Sequence, residues 1–247
     1  MIFVMHCVFL CEQPTVCMVH NKCEQCIVRQ FSSLKALGKD ELVRMSECKT
    51  SETIKKGEVI FEEGQHLDGV YCIKSGICKL TKLSPNGKSQ IVKFIKRGDL
   101  LGQRSVVSND AVNLSAVAID DMEVCFIPKE EILSAFKNNL NFSAEVIKDI
   151  CHDLKLADDA IVNMAQKPVK QRLASALIDF KDEFGTDTSG YLNVQLTREE
   201  IANTVGTATE SLIRMLSDFT KSGLLETDGK KIKVKNELAL KRAAEGF

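Results

Sequence analysis

The residues best suited to contacting another macromolecule lie between Thr197 and Lys221. The second half of this stretch carries a set of side chains that share one helix face, namely Thr209, Glu210, Ile213, Arg214 and Ser217. Short polar side chains beside an arginine suit the donors and acceptors of the DNA major groove. The alternative is an ordinary helical hairpin with a solvated polar face.

A second group of residues could bind metal or carry out redox chemistry. Cys23 and Cys26 form a CxxC pair, in which two thiolates can bind one metal ion or form a redox couple. The remaining ligands of a metal site would have to come from elsewhere, and the candidates are Cys17, His20, Cys48 and Cys125. Free thiols near the N-terminus are the alternative.

The Thr197–Lys221 stretch is predicted to fold as a helix, a tight turn and a second helix. Apolar residues Ile201, Ala202 and Val205 give the first helix a buried face. Gly206 supplies the turn, since glycine tolerates a positive φ. Thr207 can cap the second helix with Glu210 as its capping-box partner. The buried stripe of that helix is Leu212, Met215, Leu216 and Phe219.

The segment after this helix pair is predicted to be a basic wing. Gly223 to Lys235 reads as a strand, an Asp-Gly turn and a second strand, in which Lys231, Lys233 and Lys235 alternate with apolar residues. Residues 221–242 contain seven basic and three acidic residues, an excess that favours phosphate contacts. A short strand from Tyr191 to Leu196 is expected to precede the helix pair.

Between Ile54 and Ile127 the pattern changes to short strands separated by glycines, which indicates a β-sandwich or small barrel. Ser84 to Lys88 is expected to form a hairpin turn between two alternating strands. Cys72, Cys78 and Cys151 fall on apolar positions and are expected to be buried.

Helices are expected at 40–45, 129–138, 141–164 and 169–184. In the third, Ile150, Leu154, Ala157, Ile161 and Met164 follow the spacing of a coiled-coil seam. This seam favours a parallel homodimer through residues 141–164, although it could instead pack on the chain's own barrel.

The composition narrows the class of protein. The net charge is −1, the four histidines include one in the barrel region, His66, and there are ten cysteines. A cupin-type metalloenzyme needs histidines and carboxylates clustered on facing strands, so the pattern argues against an enzyme. No secretory signal or membrane span is evident, so we interpret the chain as a cytoplasmic protein that does not enter membranes. Translation could begin at Met18 rather than Met1.

The order of these elements resembles the cyclic-AMP receptor protein / fumarate–nitrate-reduction regulator (Crp/Fnr) family of bacterial transcription factors. The resemblance runs from about Cys23 to Val234, and its most specific motifs are Lys55 to Gly64, Gly69 to Leu80, Gly98 to Ser105, Val169 to Ala174 and Leu196 to Leu216. It implies an α+β chain made of a double-stranded β-helix (jelly-roll, cyclic-nucleotide-binding-like), a long dimerisation helix and a C-terminal winged helix-turn-helix. The domains are then 1–38 (Cys-rich segment), 39–138 (β-roll), 139–166 (dimer helix) and 167–247 (DNA binding).

The resemblance also implies which residues contact DNA. Family members read a TGA-like half-site of an inverted repeat with a Glu and an Arg, matched by Glu210 and Arg214, while Thr209 and Ile213 occupy the variable reading positions. The expected phosphate contacts are Thr197, Thr207, Lys221, Lys230 and Lys231. RNA polymerase is the partner expected of an activator.

The effector pocket implied by the resemblance departs from cyclic-nucleotide binders. Gly102-Gln103 and Leu114-Ser115 stand where those members carry Gly-Glu and Arg-Ser. A buried cyclic phosphate would lack its arginine, which argues against cyclic AMP. A regulator with no effector at all is a further alternative.

The iron–sulfur branch of the family carries a CxxC, a third Cys and a distant Cys. Cys23, Cys26 and Cys125 match three of these positions, but the remaining one is Ser32. Cys17 or Cys48 would have to substitute for it. An iron–sulfur cluster, zinc and plain thiols therefore remain as alternatives.

Overall fold

The computed structural model describes residues 22–85 and 87–246. The expectations that concern Met18, Cys17 and His20 lie outside these residues. The eight α-helices of the described residues are α1 (Lys39–Cys48), α2 (Gln103–Ser108), α3 (Lys129–Asn138), α4 (Leu140–Gln166), α5 (Val169–Phe184), α6 (Arg198–Val205), α7 (Thr209–Lys221) and α8 (Glu237–Glu245).

The strands are β1 (Thr50–Ile54), β2 (Val59–Phe61), β3 (Gly69–Ser75), β4 (Cys78–Leu83), β5 (Ser89–Ile95), β6 (Leu100–Leu101), β7 (Ser115–Ala118), β8 (Met122–Pro128), β9 (Leu225–Asp228) and β10 (Lys231–Val234). Before α1 the chain forms three short 3₁₀ helices, Cys23–Gln25, Ile27–Phe31 and Ser33–Ala36.

Strands β1 to β8 form a β-roll from two four-stranded sheets, which confirms the predicted β-sandwich or small barrel, although helix α2 interrupts it. The strand orders are β1-β8-β3-β6 and β2-β7-β4-β5, and the strand pairs are antiparallel. Apolar side chains such as Ile73, Cys78 and Val124 fill the space between the sheets. The expected hairpin joins β4 to β5, with Leu83 paired to Ser89.

Helices cover the outer face of the first sheet. Met45 of α1, Ile132 of α3 and Phe142 of α4 pack there in one cluster with the outward-facing side chains of β3 and β8. Helix α4 then leaves this cluster, and most of its later apolar residues are exposed. None of the helices in the described residues has both the length and the apolar content required to cross a bilayer.

The C-terminal helices surround a separate core that reaches into the β-roll. Leu177 and Phe180 of α5 pack with Ile201, Leu216 and Ile232, and the same cluster includes Ile91 and Phe94 of β5. The Phe94 and Phe180 rings meet edge to face at 5.6 Å. The C-terminal helices therefore rest on the β4–β5 hairpin.

Two expectations about this architecture are wrong. Residues 191–196 do not form a strand, because they make isolated bridges, Thr186 with Leu192 and Tyr191 with Lys233. Cys151 is exposed, since it lies on the part of α4 that has left the β-roll. Cys72 and Cys78 are buried as expected.

Candidate nucleic-acid interface

The first helix of the interface is fixed by a capping box. The Thr197 hydroxyl accepts a hydrogen bond from the backbone N–H of Glu200 at 3.1 Å, and the Thr197 N–H donates to the Glu200 carboxylate at 2.8 Å. These bonds satisfy backbone groups that a helix start leaves unpaired. Thr197 is therefore a cap, and its predicted phosphate contact remains untested.

The turn after α6 needs a glycine. Gly206 has φ +73° and ψ +54°, the left-handed conformation that residues with a Cβ rarely adopt. Helix α7 begins at Thr209 after an N-cap at Ala208, whose side chain makes no capping hydrogen bond. The expectation that Thr207 caps this helix is therefore wrong, since the turn is one residue longer than predicted.

Helix α7 separates its buried and exposed faces cleanly. Leu212, Leu216 and Phe219 are buried. Met215 of the predicted stripe is only partly buried and packs against the same core. On the opposite face Glu210, Arg214 and Ile213 are exposed, Ile213 to 50%. Because Glu210 and Arg214 lie four residues apart, their side chains are neighbours on that face.

The wing forms as predicted, but some of its lysines make intramolecular contacts. Strands β9 and β10 pair with Lys231 opposite Asp228. The Lys231 and Lys233 ammonium groups lie 5.9 Å and 5.6 Å from the centre of the Tyr191 ring. The Lys235 ammonium is 3.4 Å from the Glu226 carboxylate. Lys230 and Lys231 at the tip and Lys221 at the end of α7 are exposed.

Arg172 positions the interface and was not singled out by the sequence. Its guanidinium donates to the carbonyls of Val205 at 2.9 Å and Gly206 at 3.3 Å. It also donates to the carbonyl of Lys167 at 2.7 Å and lies 3.4 Å from that of Met164. One side chain thus joins the end of α4 to the turn of the helix pair, which no periodicity in the sequence signals.

An ion pair links the interface to the β-roll. The Lys79 ammonium of β4 lies 2.7 Å from the Glu200 carboxylate, and both side chains are largely buried. Burial raises the pKa of Glu200, but hydrogen bonds from Lys79 and Thr197 outweigh it and hold that pKa below its usual range. The Gln90 amide of β5 donates to the carbonyl of Thr204 at 3.1 Å.

The residues of the predicted effector pocket make contacts with other parts of the β-roll. A Cβ at Gly102 would lie 2.6 Å from Leu67 Cδ1, so Leu67 packs directly on the glycine. The Gln103 carbonyl oxygen is buried without a hydrogen-bond partner. The Ser115 hydroxyl accepts from the Glu63 N–H at 3.0 Å, and Leu114 is half-buried.

The metal ligands implied by the resemblance stay a prediction, since no three His, Cys, Asp or Glu side chains within residues 22–85 and 87–246 are placed to hold a metal ion. Cys23, Cys26 and Cys125 line one cavity on the outer face of the β-roll. Ser32 does not line this cavity, and its hydroxyl donates to the carbonyl of Arg29 at 3.1 Å. Cys48 is exposed and also lies outside the cavity lining, so the structure does not support it as a substitute ligand.

Comparisons with known proteins identify both halves of this architecture. Residues 51–139 match the family model "Cyclic nucleotide-binding domain", and residues 171–243 match "Crp-like helix-turn-helix domain". Together these matches cover more than half of the chain. The chain belongs to the Crp/Fnr family. This Crp/Fnr protein is a transcription regulator with a DNA-binding helix-turn-helix domain, and it is not an enzyme.

Relatives of this Crp/Fnr regulator match it over nearly its whole length. It is 28% identical over 231 residues to the fumarate and nitrate reduction regulatory protein of Escherichia coli K12, covering 92% of this chain and 91% of the relative. FixK2 from Bradyrhizobium japonicum superposes with a TM-score of 0.72 at 23% identity, covering 79% and 96% of the two chains. A CRP/FNR-family regulator from Thermus thermophilus gives a TM-score of 0.65 at 20% identity, covering 79% and 98%. These two structures support the fold.

Proposed function

We infer that this regulator binds an inverted-repeat DNA site as a homodimer and reads TGA-like arms with α7. The observation that carries this proposal is the exposed face on which Glu210 and Arg214 lie one helical turn apart. An arginine can donate to guanine O6 and N7, and a carboxylate can accept from cytosine N4. Thr209 and Ile213 flank the pair and set the remaining base preference.

Phosphate contacts then fix the register of the helix in the groove. Lys221 at the end of α7 and Lys230 and Lys231 at the tip of the wing are exposed and lie on the elements next to the reading face. Such contacts contribute affinity that depends on salt rather than on sequence. Thr207 and Thr197 are further proposed phosphate contacts, and Thr197 also caps α6.

The exposed face of α4 supports the homodimer. Leu154 and Ile161 are 62% and 66% exposed, and Val162 and Met164 are also exposed. A long helix that leaves such a row of apolar side chains in water has an unsatisfied packing face. Pairing of two α4 helices through residues 141–164 would place two α7 helices about one DNA turn apart. RNA polymerase is a further proposed partner, as expected of an activator. We also propose that the protein is cytoplasmic, where bacterial DNA and the polymerase are found.

Cyclic AMP is not the effector in this proposal. Leu114 provides no positive charge for the phosphate, and Gly102 is in close contact with Leu67. An unpaired phosphate charge would be costly to bury. We expect titration of cyclic AMP into the protein in a calorimeter to give no binding heat; a micromolar isotherm would contradict this account of Gln103 and Leu114.

Selection from random DNA tests the proposal. The full-length protein is incubated with random duplexes, and bound duplexes are recovered from gel shifts, amplified and sequenced. We expect an inverted repeat with TGA and TCA arms, with half-site centres about one helical turn apart. Failure to enrich any duplex, or enrichment of a single unrepeated half-site, would refute the homodimeric reading mode.

A further inference from the structure

One arginine side chain bonds the C-terminal ends of two helices at once. Arg172 lies in the first turn of α5 and is half-buried. It donates to the carbonyls of Val205 at 2.9 Å and Gly206 at 3.3 Å, which close α6. It also donates to the carbonyl of Lys167 at 2.7 Å and lies 3.4 Å from that of Met164, and these two groups close α4. The same guanidinium therefore joins the proposed dimer helix to the helix pair.

The chemistry of a guanidinium suits this place. The last carbonyls of an α-helix have no partner within the helix, and the helix dipole makes that end negative. An arginine offers five N–H donors in a rigid, planar fork, so it can bond several carbonyls in fixed directions. Arg172 therefore holds the ends of α4 and α6 at a defined distance and angle.

The break between α4 and α5 needs such a fixed point. Lys167 leaves the helical conformation with φ −85° and ψ +133°, and Pro168 has no N–H with which to continue the helix. A residue at the end of an element can absorb changes in φ and ψ and so act as a hinge. Because Arg172 bonds the carbonyl of Lys167 itself, it restrains this hinge.

The position of the α6 end decides the position of the reading helix. Gly206 ends α6, and α7 begins three residues later at Thr209. The Thr207 N–H donates to the carbonyl of Ala202 at 3.1 Å, which ties the turn back to α6. The two helices also share one buried cluster, so they form a single unit. A change of angle at the α6 end would therefore move the whole reading face.

Other contacts of this domain restrain that angle less. The ion pair between β4 and α6 and the ring contact between β5 and α5 lead to the β-roll and do not involve α4. The end of α4 also packs on the turn, since a Cβ at Gly206 would lie 3.2 Å from Met164 Sδ. Apolar packing has no fixed direction, whereas hydrogen bonds do. The bonds of Arg172 therefore define how the helix pair stands on α4.

We propose that Arg172 determines which spacing between two DNA half-sites the dimer accepts. The inference rests on the proposed homodimer, in which two α4 helices pair and each carries one α7. Moving a half-site by one base pair shifts it by about 3.4 Å and rotates it by about 35° around the duplex axis. A helix pair held at a fixed angle on α4 tolerates neither change, whereas a loosely joined pair accepts several spacings. Arg172 acts through the helix ends, so it is a positioning residue.

Binding to duplexes of different spacing tests this inference. Full-length wild type, Arg172→Met and Arg172→Lys are titrated by fluorescence anisotropy against three kinds of duplex. These are the selected inverted repeat, the same repeat lengthened or shortened by one or two base pairs, and a duplex with one arm only. Arg172→Lys keeps the positive charge at the helix ends but not the planar fork. Thermal melts confirm that each variant is folded.

The wild type should prefer the selected spacing by about tenfold or more, because both arms are bound by pre-positioned helices. Both Arg172 variants should reduce this preference to about threefold or less, with single-arm affinity within about twofold of the wild type. Arg242→Met, which removes an exposed arginine from α8, is the matched control and should keep the full preference.

The single-arm duplex separates positioning from folding. Equal losses of affinity on the single arm and on every repeat would mean that Arg172 only supports the fold of the domain, and they would overturn the inference. Wild-type spacing preference in either folded Arg172 variant would also overturn it, while leaving the proposed function intact. A wild type without any preference for spacing would refute the homodimeric function and this inference together.

Discussion

The functional side chains of the reading face of α7 are exposed, whereas those of the thiol-lined cavity on the β-roll are mostly buried. Glu210 and Arg214 are exposed, and the contact that Arg214 makes within the chain is a 3.4 Å approach to the Ser211 hydroxyl. Lys49 and Cys72 also line the cavity and are buried there. Burial lowers the pKa of the Lys49 ammonium, but the neighbouring cysteines outweigh burial and raise that pKa, and burial raises the pKa of the Cys72 thiol. The functional side chains of α7 therefore contribute little to the stability of the fold, whereas those of the cavity are part of its packing.

This difference predicts whether a substitution in each region changes association or the free energy of unfolding. Substitutions on exposed faces should change association and leave the free energy of unfolding nearly unchanged, because few intramolecular contacts are lost. Substitutions of buried, paired groups should lower the free energy of unfolding, because the remaining partner stays desolvated without a hydrogen bond or ion pair.

The largest effect is expected on the exposed face of α4. Ile161→Glu would place a charge in the proposed dimer seam, where its desolvation is uncompensated, and should weaken self-association by about 3 kcal/mol or more. Sedimentation should show monomers, and binding to an inverted repeat should fall more than 100-fold, with an unchanged melting transition of the protomer. Lys155→Glu, on an exposed position outside the seam, is the control. Dimers of Ile161→Glu as stable as wild type would refute the seam.

A smaller effect on stability is expected at the buried ion pair between β4 and α6. Glu200→Gln removes the charge that Lys79 contacts at 2.7 Å and should lower the free energy of unfolding by about 1–3 kcal/mol at pH 7. The folded-state pKa of Glu200 lies below its ordinary value of 4.5, so its contribution is full above pH 4.5 and is lost as the pH falls through the folded-state value.

Denaturant unfolding at pH 7 and at acidic pH measures this contribution. The difference between wild type and Glu200→Gln should shrink as the pH falls below 4.5. A difference that stays constant over that range would show that the charge of Glu200 does not contribute, and that its capping bonds alone do.

The smallest effect is expected at Gln103. Gln103→Leu removes a buried carbonyl oxygen that has no partner and should change the free energy of unfolding by less than about 0.5 kcal/mol, or raise it. Differential scanning calorimetry measures it. A loss of about 2 kcal/mol or more would mean that this amide makes an essential interaction through its nitrogen.

The two regions also differ in how far the sequence predicts them. Helix α5 has the predicted bounds, because Pro168 and Gly185 mark its ends, and the buried stripe of α7 follows from local periodicity. The pairing of Cys72 with Cys125 depends on a register between strands about fifty residues apart, which local patterns do not encode. The sequence therefore offered Cys17 and Cys48 as partners of the predicted cysteines, whereas the sheet register places Cys72 beside Cys125.

Other differences have similar causes. Residues 191–196 alternate like a strand, but their neighbours offer two isolated bridges rather than a ladder. The four carbonyls that surround the Arg172 guanidinium come from α4, the loop after it, the last residue of α6 and the turn that follows α6. Such a convergence exists only in the folded chain.

The most direct test of the central claim measures one base and one side chain together. Wild type and Arg214→Ala are titrated against the selected duplex and against the same duplex with the arm guanine replaced. Replacing the guanine should weaken the binding free energy of the wild type by about 1–3 kcal/mol, and Arg214→Ala should bind both duplexes with equal affinity. Arg242→Ala, which removes an exposed arginine from α8, should discriminate the guanine as the wild type does. Full discrimination by Arg214→Ala would contradict the assignment of α7 as the reading helix.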